Sequence, residues 1–318
     1  MDMSIGSGSD LRSGSSDLYP GIWYMTPVVL GSDKTTVSVA TGNNKYYPLY
    51  VSIGNVCNNV RRAHRDAASI IGFLAIPKTT KEHTTGNVKF RKFHQQLFHC
   101  SLSKILKTLR PGITKYEVAW FGDGHFRRVI YGLGPYIADY EEQVLLTCIV
   151  RGWCPRCLLS HINLDESAGW HCRHHTDALV EEGTLDVLWD EYGIVGDLVP
   201  VTNDFAQANI HQLITSNILH QLIKGMFKDH LVDWVEKIAA VPAFTGLRRF
   251  PQGRGFKQWM GDDSKALMKV YLSAIEGYIP LEMVRTFRAF LEFCYLVRCS
   301  TITEKTLEQI QEALDRFH

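Results

Sequence analysis

Apolar and polar positions change rhythm along this chain. From Tyr24 to Leu30 a short, partly β-branched run stops at Gly31-Ser32, the pattern of a buried strand. "KTTVSVAT" and "YYPLYVSIG" lie on either side of the turn-forming Gly42-Asn43-Asn44, which predicts an antiparallel meander. "ASIIGFLAIP" is a further apolar stretch, ended by Pro77. Between Lys89 and Leu109 the rhythm turns helical: Phe90, Phe93, Leu97, Phe98, Leu102, Ile105, Leu106 and Leu109 share one face, and Pro111 stops the run. "RRVIYGLGPYIAD" and "QVLLTCIV" read as two more strands. Beyond Asp177 the spacing is mostly helical, through "HTDALVEEGTLDVLWDEYG", the long stretch beginning at Ile210, "DDSKALMKVYLSAIEGY", "PLEMVRTFRAFLEFCYLVR" and "TEKTLEQIQEALDRFH".

Strands, a helix, more strands and then a helical half predict an α/β fold with an all-α extension. The boundaries follow the composition. Residues 1–20 form a Ser/Gly-rich tail expected to be disordered, 21–150 the α/β core, 151–177 a Cys/His-rich insertion and 178–318 the helical region. An apolar content of 45% and a charged content of 21% are ordinary for a globular chain and change nothing in this picture. No apolar run is long enough to span a bilayer, and the N-terminus has no apolar signal core, so neither a membrane nor secretion is expected. Eight cysteines without regular spacing argue against a disulfide framework and for a reducing compartment, nuclear or cytoplasmic. The net charge of +1 is uninformative, but its distribution is not. Arg61, Arg62 and Arg65, then Arg127 and Arg128, then Arg248 and Arg249 form basic clusters with aromatics among them, suited to phosphate contacts. Scattered solvated charge fits the composition equally well.

Three acids invite chemistry. Asp33 follows the first strand and Asp139 closes a later one. If the sheet brings those strands together, the pair can share a divalent ion. A turn aspartate is the plainer reading of Asp33, and the flanking glycines of Asp123 favour a turn there. Residues 148–177 hold four cysteines and four histidines. Cys154 and Cys157 have the spacing at which two thiolates grip one tetrahedral zinc ion. His171, Cys172, His174 and His175 can supply the other two ligands; His174 and His175 are the expected pair, although spacing leaves all four open. Such a closed shell would be structural. A pair of ordinary thiols is the bland alternative, and His161 and Cys148 read as bystanders. His211 and His220 sit among apolar helical positions and read as core. No P-loop, GxSxG or GxGxxG is present.

"LGSDKTTVSVATGNNKYYPLYVSIGNV" resembles the opening of the catalytic region of Plavaka-type transposases, a CACTA-related group abundant in fungal genomes. "DGHFRRVIYGLGPYIADYEEQVLLTCIVRGWCPRC", "DEYGIVGDLVPVTNDF", "LHQLIKGMFKDHLVDWVE" and "GLRRFPQGRGFKQWMGDDSKALMKVYLSAIEGYIP" continue the resemblance in order. It implies an RNase H-like core in which two Asp and one Glu hold Mg²⁺ or Mn²⁺ for DNA cleavage and strand transfer. Carried over, the two Asp are Asp33 and Asp139, and the CxxC of a zinc-binding insertion is Cys154 and Cys157. There are departures. The block expected to carry the third acid does not occur before "LDRFH"; Asn217 stands where a D-x-x-L-H element has its acid; and "DWVEKIAAVP" joins two blocks that relatives separate. The expectation is a transposase derivative that binds DNA but lacks cleavage. The rival is an active nuclease whose missing carboxylate comes from Glu276, Glu292 or a neighbouring chain of a homo-oligomer. A decayed gene product without activity is the third possibility.

Overall fold

The computed structural model describes residues 23–36, 45–63, 65–77, 87–159, 162, 168–205, 207–216, 218–232 and 261–317. The predicted N-terminal tail, most of "KTTVSVAT", Asn217 and the basic pair Arg248 and Arg249 lie outside the described residues. The chain divides into two compact units, Met1–Thr215 and Ser216–His318. The first contains β1 (Trp23–Ser32), β2 (Thr35–Thr36), β3 (Lys45–Tyr46), β4 (Pro48–Ile53), α1 (Asn58–Ala63), β5 (Ser69–Phe73) and α2 (Val88–Ile105). It continues with α3 (Arg110–Thr114), β6 (Glu117–Trp120), β7 (Phe126–Ala138), α4 (Tyr140–Thr147), α5 (Arg173–Glu182), α6 (Leu185–Tyr192) and α7 (Ile210–Leu213), and β8 (Ile214–Ser216) closes it.

Six of these strands build a mixed sheet in the order β5-β4-β1-β7-β6, with β8 also on β7, while β2 and β3 pair in a separate two-stranded sheet. β1 is the pivot, antiparallel to β4 and parallel to β7. Alternation along β1 explains which face is covered: Thr26, Val28, Leu30 and Ser32 are buried, Pro27, Val29 and Gly31 between them are half-buried, and Met25 before them is 61% exposed. The covered face packs on α2, and Val28, Leu30, Leu49, Phe98, Leu102 and Leu146 share one core. Leu102 is fully buried there, so its truncation to alanine would cost about 2–5 kcal/mol. The parallel ladder shifts register between Val28 and Leu30, a bulge that lets β7 run on past β1 without changing partner.

One predicted strand is a helix. "QVLLTCIV" falls in α4 and the turn after it. Asp139 caps that helix by accepting from the Glu142 backbone N–H at 2.9 Å, and Cys148, in a left-handed conformation with φ 55°, ends it. A run of Val and Leu too short to show a period fits either element, and the cap decides. The long helix expected from Ile210 is likewise broken, because residues 214–216 leave it to extend the sheet beside β7. Segment 178–215, read from sequence with the helical half, packs in the first unit: Leu188, Ile194 and Val195 join Cys148 and Trp153 in one core, and Val201, Phe205 and Ile210 join the sheet core.

After Ser216, the last residue of β8, the described elements of the second unit are helices: a π-helix over Leu219–Leu231, then α8 (Gly261–Met268), α9 (Tyr271–Ile275), α10 (Leu281–Leu296) and α11 (Glu304–Phe317). Its core packs Phe287 and Phe290 with fully buried Tyr271. No described helix is long and apolar enough to cross a membrane.

His99 on α2 is buried. Its Nδ1 accepts from the Val201 backbone N–H at 3.3 Å, and its Nε2 donates to the Leu145 carbonyl at 3.0 Å. Both nitrogens are occupied by a neutral ring, and burial lowers the imidazole from 6.5 to about 4. The folded protein therefore binds fewer protons than the unfolded chain between those values. Its contribution is full above pH 6.5 and is lost as pH falls toward 4, to the extent of roughly 3 kcal/mol. Urea unfolding of wild type and His99→Gln across this range should show a flatter acid limb in the variant. Parallel limbs would refute the assignment.

Candidate functional site

The parallel register of β1 and β7 reaches Gly31 opposite Ile137. Two residues further on, each strand has ended and an aspartate follows: Asp33 after β1 and Asp139 after β7. Neighbouring strands lie about 5 Å apart, so the two acids leave adjacent strand ends at the same edge of the sheet. Asp33 is exposed and Asp139 half-buried. One Asp139 oxygen accepts from Glu142 N as the helix cap; the other is left for a further partner.

Behind them lies a polar cluster that the sequence reading missed. Glu142, only 5% exposed, accepts from the Ser32 hydroxyl and from Tyr136 OH at 3.4 Å, and Tyr47 also donates to it. Ser32 and Tyr136 are themselves 2.6 Å apart. Burial, more than any neighbour, pushes the Glu142 carboxyl up to about 7 and holds the Tyr136 phenol well above its ordinary range. The cluster joins the last residue of β1 to the first turn of α4, and so fixes the two aspartates' backbones relative to each other. "D-Y-E-E" at residues 139–142 carried the signal, an Asp with a Glu three residues on before an apolar run. Here that Glu reaches across to Ser32.

The other expected centre lies beyond α4. Tyr140 OH accepts from Gly152 N at 2.7 Å and donates to the Trp153 carbonyl at 3.0 Å, which pins the chain entering "WCPRC". The Cys157 N–H donates to Cys154 Sγ at 3.3 Å, a knuckle that turns both thiols to one side. A short ladder follows: Cys157 bridges Trp170, Leu158 N donates to Gly169 O at 2.9 Å, and His171 N donates to Arg156 O at 2.8 Å. It sets His171 against the knuckle. His171 is 1% exposed, and neither ring nitrogen has a hydrogen-bond partner; Nδ1 of His175, in the first turn of α5, is also buried and unpartnered. His174 is exposed and Cys172 half-buried.

His211, read as core from sequence, is buried as expected and belongs to this group. Its Nδ1 donates to the Pro155 carbonyl at 2.8 Å, and its ring stacks on His171 with centroids 4.9 Å apart. Burial first, then the neighbouring His211 and His175, pushes His171 down to about 4, so its ring is neutral. Among the described residues no three His, Cys, Asp or Glu side chains stand together in a set ready to hold a metal ion. The thiol pair and the imidazoles are two adjacent groups. Cys148 is apart from both, buried with its thiol against His99 Nε2 at 3.5 Å.

The arginines have mostly local employment. Arg61 donates to the carbonyls of Ile53 and Val56 at 2.8 and 2.9 Å. Arg127 forms a two-point pair with Asp123 and lies over the Phe121 and Tyr24 rings at 4.7 and 5.2 Å. Arg128 stacks over Tyr116 at 5.0 Å. The side chains of Arg62 and Arg65 lie outside the described residues. Of the acids offered as substitutes, Glu292 pairs with Arg316 at 3.2 Å inside the second unit, to which Glu276 also belongs.

The fold and its polar residues define a mixed α/β protein with acids at the ends of paired parallel strands. A family model described as Plavaka transposase matches residues 16–235, more than half of the chain, and the chain belongs to that family. A search of curated proteins finds no match.

Removing the Glu142 carboxylate tests the polar cluster. Glu142→Ala leaves three hydroxyls facing a cavity and should cost roughly 3 kcal/mol in urea unfolding, whereas Glu142→Gln, which keeps an acceptor, should cost about 1 kcal/mol or less. Equal losses would mean that the hydrogen bonds are immaterial.

Proposed function

We propose that the chain is a transposase-derived DNA-binding protein that retains two acids of a metal-dependent strand-transfer centre, Asp33 and Asp139, on an RNase H-like core. The observation that carries this reading is the parallel pairing of β1 with β7, since it leaves both aspartates at neighbouring strand ends. Three antiparallel strands β1, β4 and β5, a helix, and then a parallel strand beside the first agree with that core. Each aspartate would lend an oxygen to Mg²⁺ or Mn²⁺, the hard cations such ligands suit. The ion would supply Lewis-acid activation of a phosphodiester and of water.

Two carboxylates are one fewer than that chemistry uses, so this 318-residue polypeptide alone should bind DNA without cutting it. Mobility shifts over a salt series should show binding that weakens steeply as salt rises; no binding at low salt would remove the DNA role. A supercoiled-plasmid nicking assay with Mg²⁺ or Mn²⁺ should show no cleavage. Metal-dependent nicking abolished by Asp33→Ala would overturn inactivity.

The Cys154–Cys157 knuckle is part of the same proposal. It holds one structural zinc ion, which would tie the insertion together. Purified wild type should contain one zinc per chain by mass spectrometry and the Cys154→Ser/Cys157→Ser variant almost none. Equal contents would end the zinc reading.

A further inference from the structure

We infer that the zinc shell is completed by His171 and His175, with His211 as a positioning residue outside it. This rests on the zinc reading just given and assigns its ligands. Three observations carry it.

The first is His171 itself. A ring 1% exposed with both nitrogens unpartnered leaves buried lone-pair and N–H capacity unused, which is a cost to the fold. A cation beside the knuckle removes that cost. His175, in the first turn of α5, repeats the feature with its own unpartnered Nδ1. His174, between them, is exposed and has no such deficit.

The second is the backbone. The ladder that pairs Cys157 with Trp170 and joins His171 N to Arg156 O fixes the His171 backbone against the segment between the two cysteines. The resulting order, Cys-x2-Cys-x13-His-x3-His, lies within the spacing of two-thiolate, two-imidazole zinc sites. Zinc binding would draw the thiol pair and the two imidazoles into one tetrahedral set.

The third observation separates His211 from the ligands. Its Nδ1 donates to Pro155 O and its Nε2 faces the Thr176 hydroxyl at 3.5 Å, so both nitrogens have protein partners. By gripping the carbonyl between the two cysteines and stacking on His171, it sets the distance between the thiol and imidazole halves. Such outer partners typically change metal affinity 10–100-fold without being ligands.

The test uses the full chain expressed with zinc. X-ray absorption at the zinc edge should give two sulfurs at about 2.3 Å and two nitrogens at about 2.0 Å, a measurement that needs no variant. His171→Ala and His175→Ala should each lose at least tenfold in zinc affinity in a chelator competition. His174→Ala should match wild type, and His211→Ala should keep one zinc per chain with weaker affinity. Three sulfurs in the shell, or zinc lost from His174→Ala or His211→Ala but kept by His171→Ala, would overturn these ligands and leave the zinc reading intact. Wild type without zinc would overturn both.

Discussion

The parallel pairing of β1 with β7 is the constraint on which the first unit depends. Parallel neighbours cannot be joined by a tight turn, so everything between them, from β2 to β6, must be accommodated in the crossover. The pairing runs from Trp23 opposite Arg128 to Gly31 opposite Ile137, through one bulge. Because side chains alternate along a strand, a slip of one residue would turn Val28 and Leu30 out of the core. The burial of those side chains against Phe98 and Leu102 therefore also fixes where the strands end. Hydrophobic register and placement of the aspartates are one requirement.

Register alone leaves the strand ends free to fray, and the buried cluster answers this. Ser32, Tyr47, Tyr136 and Glu142 come from β1, the residue before β4, β7 and α4. An acid buried among hydroxyls is costly when any member is lost, since those left behind are stranded away from water. That asymmetry makes it a clasp: it adds little net stability, yet it penalises every arrangement in which the ends part. Asp139 serves the same place twice, as helix cap and as one of the strand-end acids.

Much of this fold was legible in the sequence. The β-branched run of β1, the helical spacing of α2 and the acid closing β7 all read correctly because local pattern and tertiary role coincide there. α4 did not, because its apolar residues are buried nearly all round, which erases the periodicity that identifies a helix. Glu142 was hidden for another reason: a glutamate in a helix's first turn is usually solvated, and only its partner some hundred residues earlier makes it structural. The histidines divided similarly. Spacing picked out the crowded cluster downstream of the knuckle, but which imidazole turns inward depends on the ladder between Arg156 and His171, a contact across a loop that no local pattern encodes.

The knuckle shows the physics of the insertion most plainly. The ladder has only a few backbone bonds, and Trp170 beside it is largely exposed, covered in part by the Arg156 guanidinium at 5.6 Å. Beyond Trp153, the large apolar residues Leu158, Ile162 and Trp170 of this loop are exposed, so they offset little of the entropy of ordering it. Yet it holds three imidazoles close together and keeps one of them from water with nothing bonded to its nitrogens. Left to apolar and hydrogen-bonding forces, that arrangement should open and let His171 reach solvent. A bound cation would reverse the balance, turning the unpartnered nitrogens from a cost into the main force that closes the loop.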